Sequence, residues 1–231
     1  MEKKQVINGE IAVRDMATES FEKIIIEENK RRNFDFSREV FNTSCLTECD
    51  RRILYKSRGE ILETLLDFSK IDAQEATKNK WNSFFSKSIK ISLIDKDVVV
   101  ADCNYNLKGK IDGVLKIGNA NFAVMVKALS NNDFINAEKR AFRKDVIETM
   151  VNMWILEIND GIVIYENKDT NKFSLYHILP FVQLIEACKK KCLSMLNFKM
   201  KGEFPDRPYK NNDSKECLIC EFKTKCWKVI K

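Results

Sequence analysis

The stretch Lys108–Leu129, KGKIDGVLKIGNANFAVMVKAL, decides how the rest of this chain is read. Val, Ile, Leu and Phe dominate it, and the turn signal GNAN interrupts it, so it reads as two strands of an antiparallel hairpin. The first strand carries Asp112, immediately before Gly113, and the second carries Met125 and Lys127. Side chains alternate along a strand, so Met125 must face whatever Lys127 faces. A carboxylate and a lysine on neighbouring strands make a candidate site, and a thioether beside them is the odd member.

Working outward, ISLIDKDVVVADC precedes the hairpin and adds a third strand, giving spans of roughly 96–103, 107–117 and 121–128 in a meander. On the far side, residues 134–157 have the character of one helix. GIVIYENKDTNKFSLYHILP reads as a strand pair around KDTN, and FVQLIEACKKKCLSMLNFKM as a further helix. Before the meander, helices are expected over 17–32, through most of 37–70 with an apolar stripe of Ile61, Leu62, Leu65, Leu66 and Phe68, and over 74–90. Helices followed by strands, a helix, two strands and a helix form an α/β layer architecture, a mixed sheet flanked by helices.

The chain has 231 residues, 44% of them hydrophobic and 32% charged, which suits a single globular domain. Within it, 1–90 is the helical N-terminal part, 91–180 the core, and 181–231 a last helix and a cysteine tail. Seven Gly and three Pro leave no room for long flexible linkers. No apolar run approaches the ~20 residues that span a bilayer. MEKKQVINGEIAVRD lacks the apolar segment of a secretory signal, so a cytoplasmic protein with no membrane partner is expected. Its eight cysteines are then expected as thiols, and the net charge of +6 is compatible with a nucleic-acid partner.

The cysteine tail is the sharpest signal. Cys217, Cys220 and Cys226 are spaced C-x2-C-x5-C in a segment too polar to bury them as core residues. Two cysteines two residues apart can grip one metal centre, and metal binding would supply the ordering energy that an apolar core supplies elsewhere. The spacing does not distinguish zinc from an iron–sulfur cluster, and a fourth ligand must come from Cys45, Cys49, Cys103, Cys188 or Cys192. Cys188 and Cys192 lie four apart beside Leu184, Ile185 and Leu193, a setting that favours core thiols.

NTSCLTECDRRILYKSRGE, GKIDGVL, FAVMVKAL, VIETMVNMWIL, GIVIYENKD and CLICEFKTKCW occur in the order of the motifs of RecB-type PD-(D/E)XK nucleases. Over residues 37–228 the chain resembles the iron–sulfur branch of that family, which includes CRISPR-associated single-strand exonucleases, the AddB nuclease domain and small phage exonucleases. The resemblance implies a restriction-endonuclease-like fold whose chain ends meet at a 4Fe-4S cluster on Cys49, Cys217, Cys220 and Cys226. Cys45 is the rival to Cys49, and zinc the alternative metal. It also implies a DNA partner, single-stranded or at DNA ends, and leaves room for a protein partner.

That family cuts with an Asp, a Glu and a Lys, helped by an upstream His and a Gln on the next helix. Asp112 and Lys127 match. The Glu position is Met125, and no acid occurs from Gly113 to Asn132. The Gln position is Glu148 and the Tyr after it is Asn152, while the only histidine, His177, falls elsewhere and is given no role. A soft thioether does not replace a carboxylate on magnesium or manganese. The expected set is therefore Asp112, Lys127 and Glu148, with Asp112 and Glu148 as ligands of Mg or Mn if the protein is active. The expected activity is a weakened exonuclease if Glu148 supplies the missing carboxylate, and otherwise an inactive DNA- or protein-binding scaffold. Lys189, Lys190, Lys191, Lys199 and Lys201 are candidates to follow a DNA backbone, against ordinary solvated charge.

Overall fold

The computed structural model describes residues 39–59 and 68–228, the side chains of 68–71 excepted. The chain divides into two compact units. One comprises Met1–Ser37 and Glu63–Phe68, and the other Arg38–Leu62 and Ser69–Lys231. The expected helix over 17–32 and the apolar stripe of 61–68 lie outside the described side chains. Among the described residues no helix is long and apolar enough to cross a membrane.

The elements run β1 Phe41–Asn42, α1 Asp50–Ser57, α2 Phe68–Lys87, β2 Ile91–Asp102, β3 Leu107–Ile117, β4 Ala120–Leu129, α3 Asn131–Lys139, α4 Arg143–Leu156, β5 Asp160–Asn167, β6 Phe173–Ile178, α5 Val182–Lys201, α6 Lys215–Leu218 and α7 Lys223–Trp227. The six strands form one mixed sheet in the order β1-β3-β4-β5-β6, with β2 paired to the other edge of β3. β2, β3 and β4 form the expected antiparallel meander, β4 and β5 are parallel, and β5 and β6 antiparallel. Gly118, at φ +61°, is the first of the two residues joining Ile117 to Ala120, where such a short hairpin needs positive φ.

Three readings change. β2 begins at Ile91, because DKD continues the strand and is not a turn. The register shifts between Leu93 and Asp95, and Asp97 adopts a left-handed φ of 55° while staying in the strand. Phe41–Asn42, expected as helix, is a short strand parallel to the start of β3. The single helix of 134–157 is two. Ser130 caps α3, Arg140 turns extended at φ −167°, and α4 restarts after Phe142.

α2 covers one face of the sheet, packing Trp81 and Phe85 on Leu115, Val124, Val126, Ile162 and Ile164. α3 and α4 cover the other, where Phe134, Met150 and Met153 meet Ile111, Ala123, Met125 and Val163. A third cluster joins β1, α1 and α5 through Phe41, Ile53, Leu54, Leu107, Cys188, Cys192 and Met195. Cys188 and Cys192 are thus core thiols, and burial pushes Cys192 up to about 12. At Gly109 a Cβ would stand 2.2 Å from Thr43 Oγ1 and 2.5 Å from Asn152 Oδ1, both on buried side chains. Gly109→Ala is therefore expected to destabilise by about 2 kcal/mol through overpacking, read as a lower urea midpoint at unchanged slope.

Candidate active site

The site lies where β3 and β4 part. Their pairing runs from Ile117↔Ala120 to Gly113↔Val124 and stops there, while β4 continues beside β5 to Leu129. Beyond the fork the backbone edge of β4 loses its strand partner, and buried amides need others. Side chains supply them. Val126 N–H donates to Asp112 Oδ2 at 2.7 Å. Gln74 of α2 accepts from Ala128 N–H at 2.8 Å and donates its amide to the Val126 carbonyl, replacing one rung of the ladder. Asp112 is thus held at the fork by the strand that carries Lys127. Gln74 was not singled out in the sequence, because a helical glutamine has no local mark of such a role.

Lys127 projects from β4 toward α4, with Nζ 3.2 Å from Glu148 Oε2 and 3.9 Å from Asp145 Oδ1. Burial works against its charge, but Glu148, Asp145 and Asp112 outweigh it and hold Lys127 firmly cationic. Burial raises the pKa of Glu148, offset in part by Lys127, and burial likewise raises that of Asp112 against the Val126 amide and Lys127. The three expected residues therefore fall within one electrostatic cluster.

Asp145 completes the cluster. It is 3% exposed and accepts the Tyr165 hydroxyl at 2.8 Å, and that hydroxyl accepts Phe142 N–H at 3.0 Å. Tyr165 stands opposite Lys127 in the β4–β5 register. It pins the break between α3 and α4 to the sheet, which sets where α4 begins and so where Asp145 and Glu148 land. Neither break nor tyrosine was foreseen from the sequence.

Met125 lies on the same sheet face as Lys127 but deeper. It is 2% exposed, and Thr149 Oγ1 approaches its sulfur at 3.0 Å. It is a buried core residue on the face that carries Lys127. Asn152, a turn beyond Glu148, is fully buried against β3 at Gly109 and does not reach Lys127. His177 sits on β6, with Nε2 2.7 Å from Asp160, away from these residues.

Most of the lysines proposed as a DNA track have other partners. Lys189 pairs with Glu186, Lys191 with Asp50 and the Glu48 carbonyl, and Lys199 donates to the Glu39 carbonyl. Side chains already held within the protein are poorly placed to follow a flexible polyanion.

The cysteines define a second locus. Cys49, Cys217, Cys220 and Cys226 all line one cavity of about 210 Å3, together with Arg51, Arg52, Arg207, Tyr209 and Trp227. Cys45 is not on its wall; it lies near Lys56 Nζ and Ser44. Cys103 is an exposed thiol after β2. Arg51 Nε donates to Cys226 Sγ at 3.2 Å, Arg52 pairs with Glu221 at 2.8 Å, and the Tyr55 ring stacks on Phe222 at 5.0 Å. These contacts bind α1 to the tail. Among the described residues, no group of three or more His, Cys, Asp or Glu is gathered as a single metal ion would require.

No family model and no curated protein matches the chain by sequence. Solved structures do match. SSO0001 superposes with a TM-score of 0.59 at 16% identity, over 93% of this chain and 97% of that one. An alkaline exonuclease from Laribacter hongkongensis, LHK-Exo, superposes with a TM-score of 0.56 at 9% identity, over 72% of this chain and 90% of that one. Its complex with dAMP matches equally well. The chain therefore shares the fold of these structures, a mixed sheet flanked by helices.

Proposed function

We propose that this protein processes DNA, as a slow metal-dependent nuclease acting at ends through Asp112, Glu148 and Lys127. The observation that carries the proposal is the 3.2 Å approach of Glu148 to Lys127, which stands within electrostatic reach of Asp112. The missing strand carboxylate is replaced by an acid from the facing helix. Asp112 and Glu148 would hold a hard divalent ion, which supplies Lewis-acid polarisation of the phosphate and an activated water. Lys127 stays protonated and offsets the charge that develops on the phosphate oxygens. Support for a DNA substrate comes from the exonuclease fold and from the dAMP bound to LHK-Exo.

Slow turnover follows from two features. The acids are already neutralised in part by Lys127, which a metal ion must displace or share. Met125 also leaves one ligand position apolar. These same features support a second reading, a binding scaffold that no longer cuts.

The test is release of nucleotides from end-labelled single-stranded DNA with magnesium or manganese. Weak cleavage is expected in the wild type, and none in Glu148→Gln or Asp112→Asn, with DNA binding retained in both. Cleavage that survives both changes sinks this assignment. The pH dependence has a fixed sign. A metal needs both carboxylates ionised, and burial raises their pKa values. Protons thus compete with metal at pH values where ordinary carboxylates are already free. At subsaturating metal, the rate is expected to climb with pH through a limb lying above the usual carboxylate range.

We further infer that Cys49, Cys217, Cys220 and Cys226 hold an iron–sulfur cluster. All four line one cavity as free thiols, and Arg51, Arg52 and Arg207 line the same cavity, where they offset the negative charge of a thiolate-bound cluster. A four-iron cluster spreads its ligand sulfurs over its corners. Four thiols around an open cavity fit that demand, and a single zinc would need them drawn together. When bound, the cluster supplies ordering energy to the tail.

A further inference from the structure

We propose that the exposed cations at the junction of α3 and α4, Lys139, Arg140, Arg143 and Lys144, form the surface that grips the DNA backbone. This rests on the DNA-processing reading above and names where that DNA is held.

Residues 137–144 read AEKRAFRK, with four cations against one acid, Glu138. All four cations are exposed. None forms a salt bridge among the described residues, unlike Lys189, Lys191 and Lys127, whose charges are spent internally. Leaving four like charges unpaired and close together is unfavourable for the free protein, and a polyanion relieves it.

The backbone here is fixed, which separates the patch from an ordinary solvated face. The Phe142 amide is tied to the Tyr165 hydroxyl, and its ring packs edge-on against Tyr165 at 5.4 Å. Tyr165 in turn holds Asp145, which begins the acidic cluster. The cations therefore spring from a segment anchored to the proposed active site. Lys144 directly precedes Asp145, and Glu148 follows one turn on. A strand whose phosphates lie along Lys139–Lys144 would present a neighbouring phosphodiester to Asp112, Lys127 and Glu148. The chemistry recognised is a run of phosphodiesters, since separate guanidinium and ammonium groups suit successive phosphate oxygens.

The test is fluorescence anisotropy of a labelled single-stranded oligonucleotide titrated with the full chain across a potassium chloride series. The neutralised variant carries Lys139→Gln, Arg140→Gln, Arg143→Gln and Lys144→Gln. It is expected to bind about tenfold or more weakly, and its slope of log affinity against log salt should fall by about 0.7 for each phosphate contact removed. A charge-keeping variant, Arg140→Lys with Arg143→Lys, should bind like wild type and excludes misfolding as the cause. Lys190→Gln with Lys201→Gln should change little. Wild type that binds no DNA would overturn the functional reading itself. Wild type that binds, with affinity and slope unchanged in the neutralised variant, would overturn this surface alone. Equal binding of poly-glutamate of matched charge would show a charge sink with no selectivity for phosphodiesters, and would also overturn it.

Discussion

Replacing Cys217 by serine is expected to abolish binding of the proposed iron–sulfur cluster and to unfold the C-terminal region at temperatures where the wild type is intact. The physical reason is the poverty of that region in buried side chains. α6 and α7 contain no buried residue, and between Gly202 and Lys228 only Phe222 is buried. Its other contacts are mostly partly exposed: Phe204 and Phe222 against Tyr55, Arg51 and Arg58 over Phe204, the Arg58 bond to the Glu203 carbonyl, the pairs of Arg52 and Lys56 with Glu221, and the bonds of Arg51 and Arg207 to the tail. Partly exposed pairs of this kind contribute ~1 kcal/mol or less each. Metal bound to thiolates contributes on the order of 10 kcal/mol where folding and binding are coupled. The change should therefore cost several kcal/mol, far beyond an ordinary surface substitution. Anaerobically purified wild type should be brown and carry iron and sulfide, and Cys217→Ser should be colourless with a lower melting temperature. Cys45→Ser should keep the colour, because Cys45 is not on the cavity wall. Colourless wild type with stoichiometric zinc, or a Cys217→Ser protein that melts like wild type, would refute the cluster.

Met125→Glu is expected to move activity further than any other single change. It installs a carboxylate on the sheet face of Lys127, two residues nearer the hairpin turn. With Asp112 and Glu148 it would complete three acids around one ion. Manganese affinity measured by calorimetry should rise about tenfold or more, since a further charged oxygen ligand is gained by a hard cation, and cleavage should rise with it. The change has a stability cost. Met125 is 2% exposed and packs beside Thr149, so an acid there is buried and costs about 2 kcal/mol or more without metal. Stability should recover in part on adding manganese, as binding to the folded state requires. A folded variant whose manganese affinity matches wild type would show that the Met125 position is not the vacated ligand position.

Much of this protein can be read from its residues in order. Strand alternation and the Gly118 turn define the hairpin, and with it the shared face of Met125 and Lys127. Both depend on contacts a few residues apart, which local sequence encodes. The C-x2-C-x5-C spacing likewise marks the tail, whose Cys217, Cys220 and Cys226 line one cavity. Other features were not visible. DKD looked like a turn and continues β2, where Asp97 pairs with Lys78 of α2 and Lys110 of β3. The helix of 134–157 looked continuous and breaks at Arg140–Phe142, because the Phe142 amide finds Tyr165 across the fold. Only tertiary structure could bring Glu148 and Asp145 to Lys127, let Gln74 stand in for a strand, and seal Met125 into the core. It also decided which lysines are spent on internal partners and which cations remain free. Those outcomes depend on groups far apart in the chain meeting under burial, where an unpaired charge or amide is too costly to leave, and no local pattern records which partner will arrive.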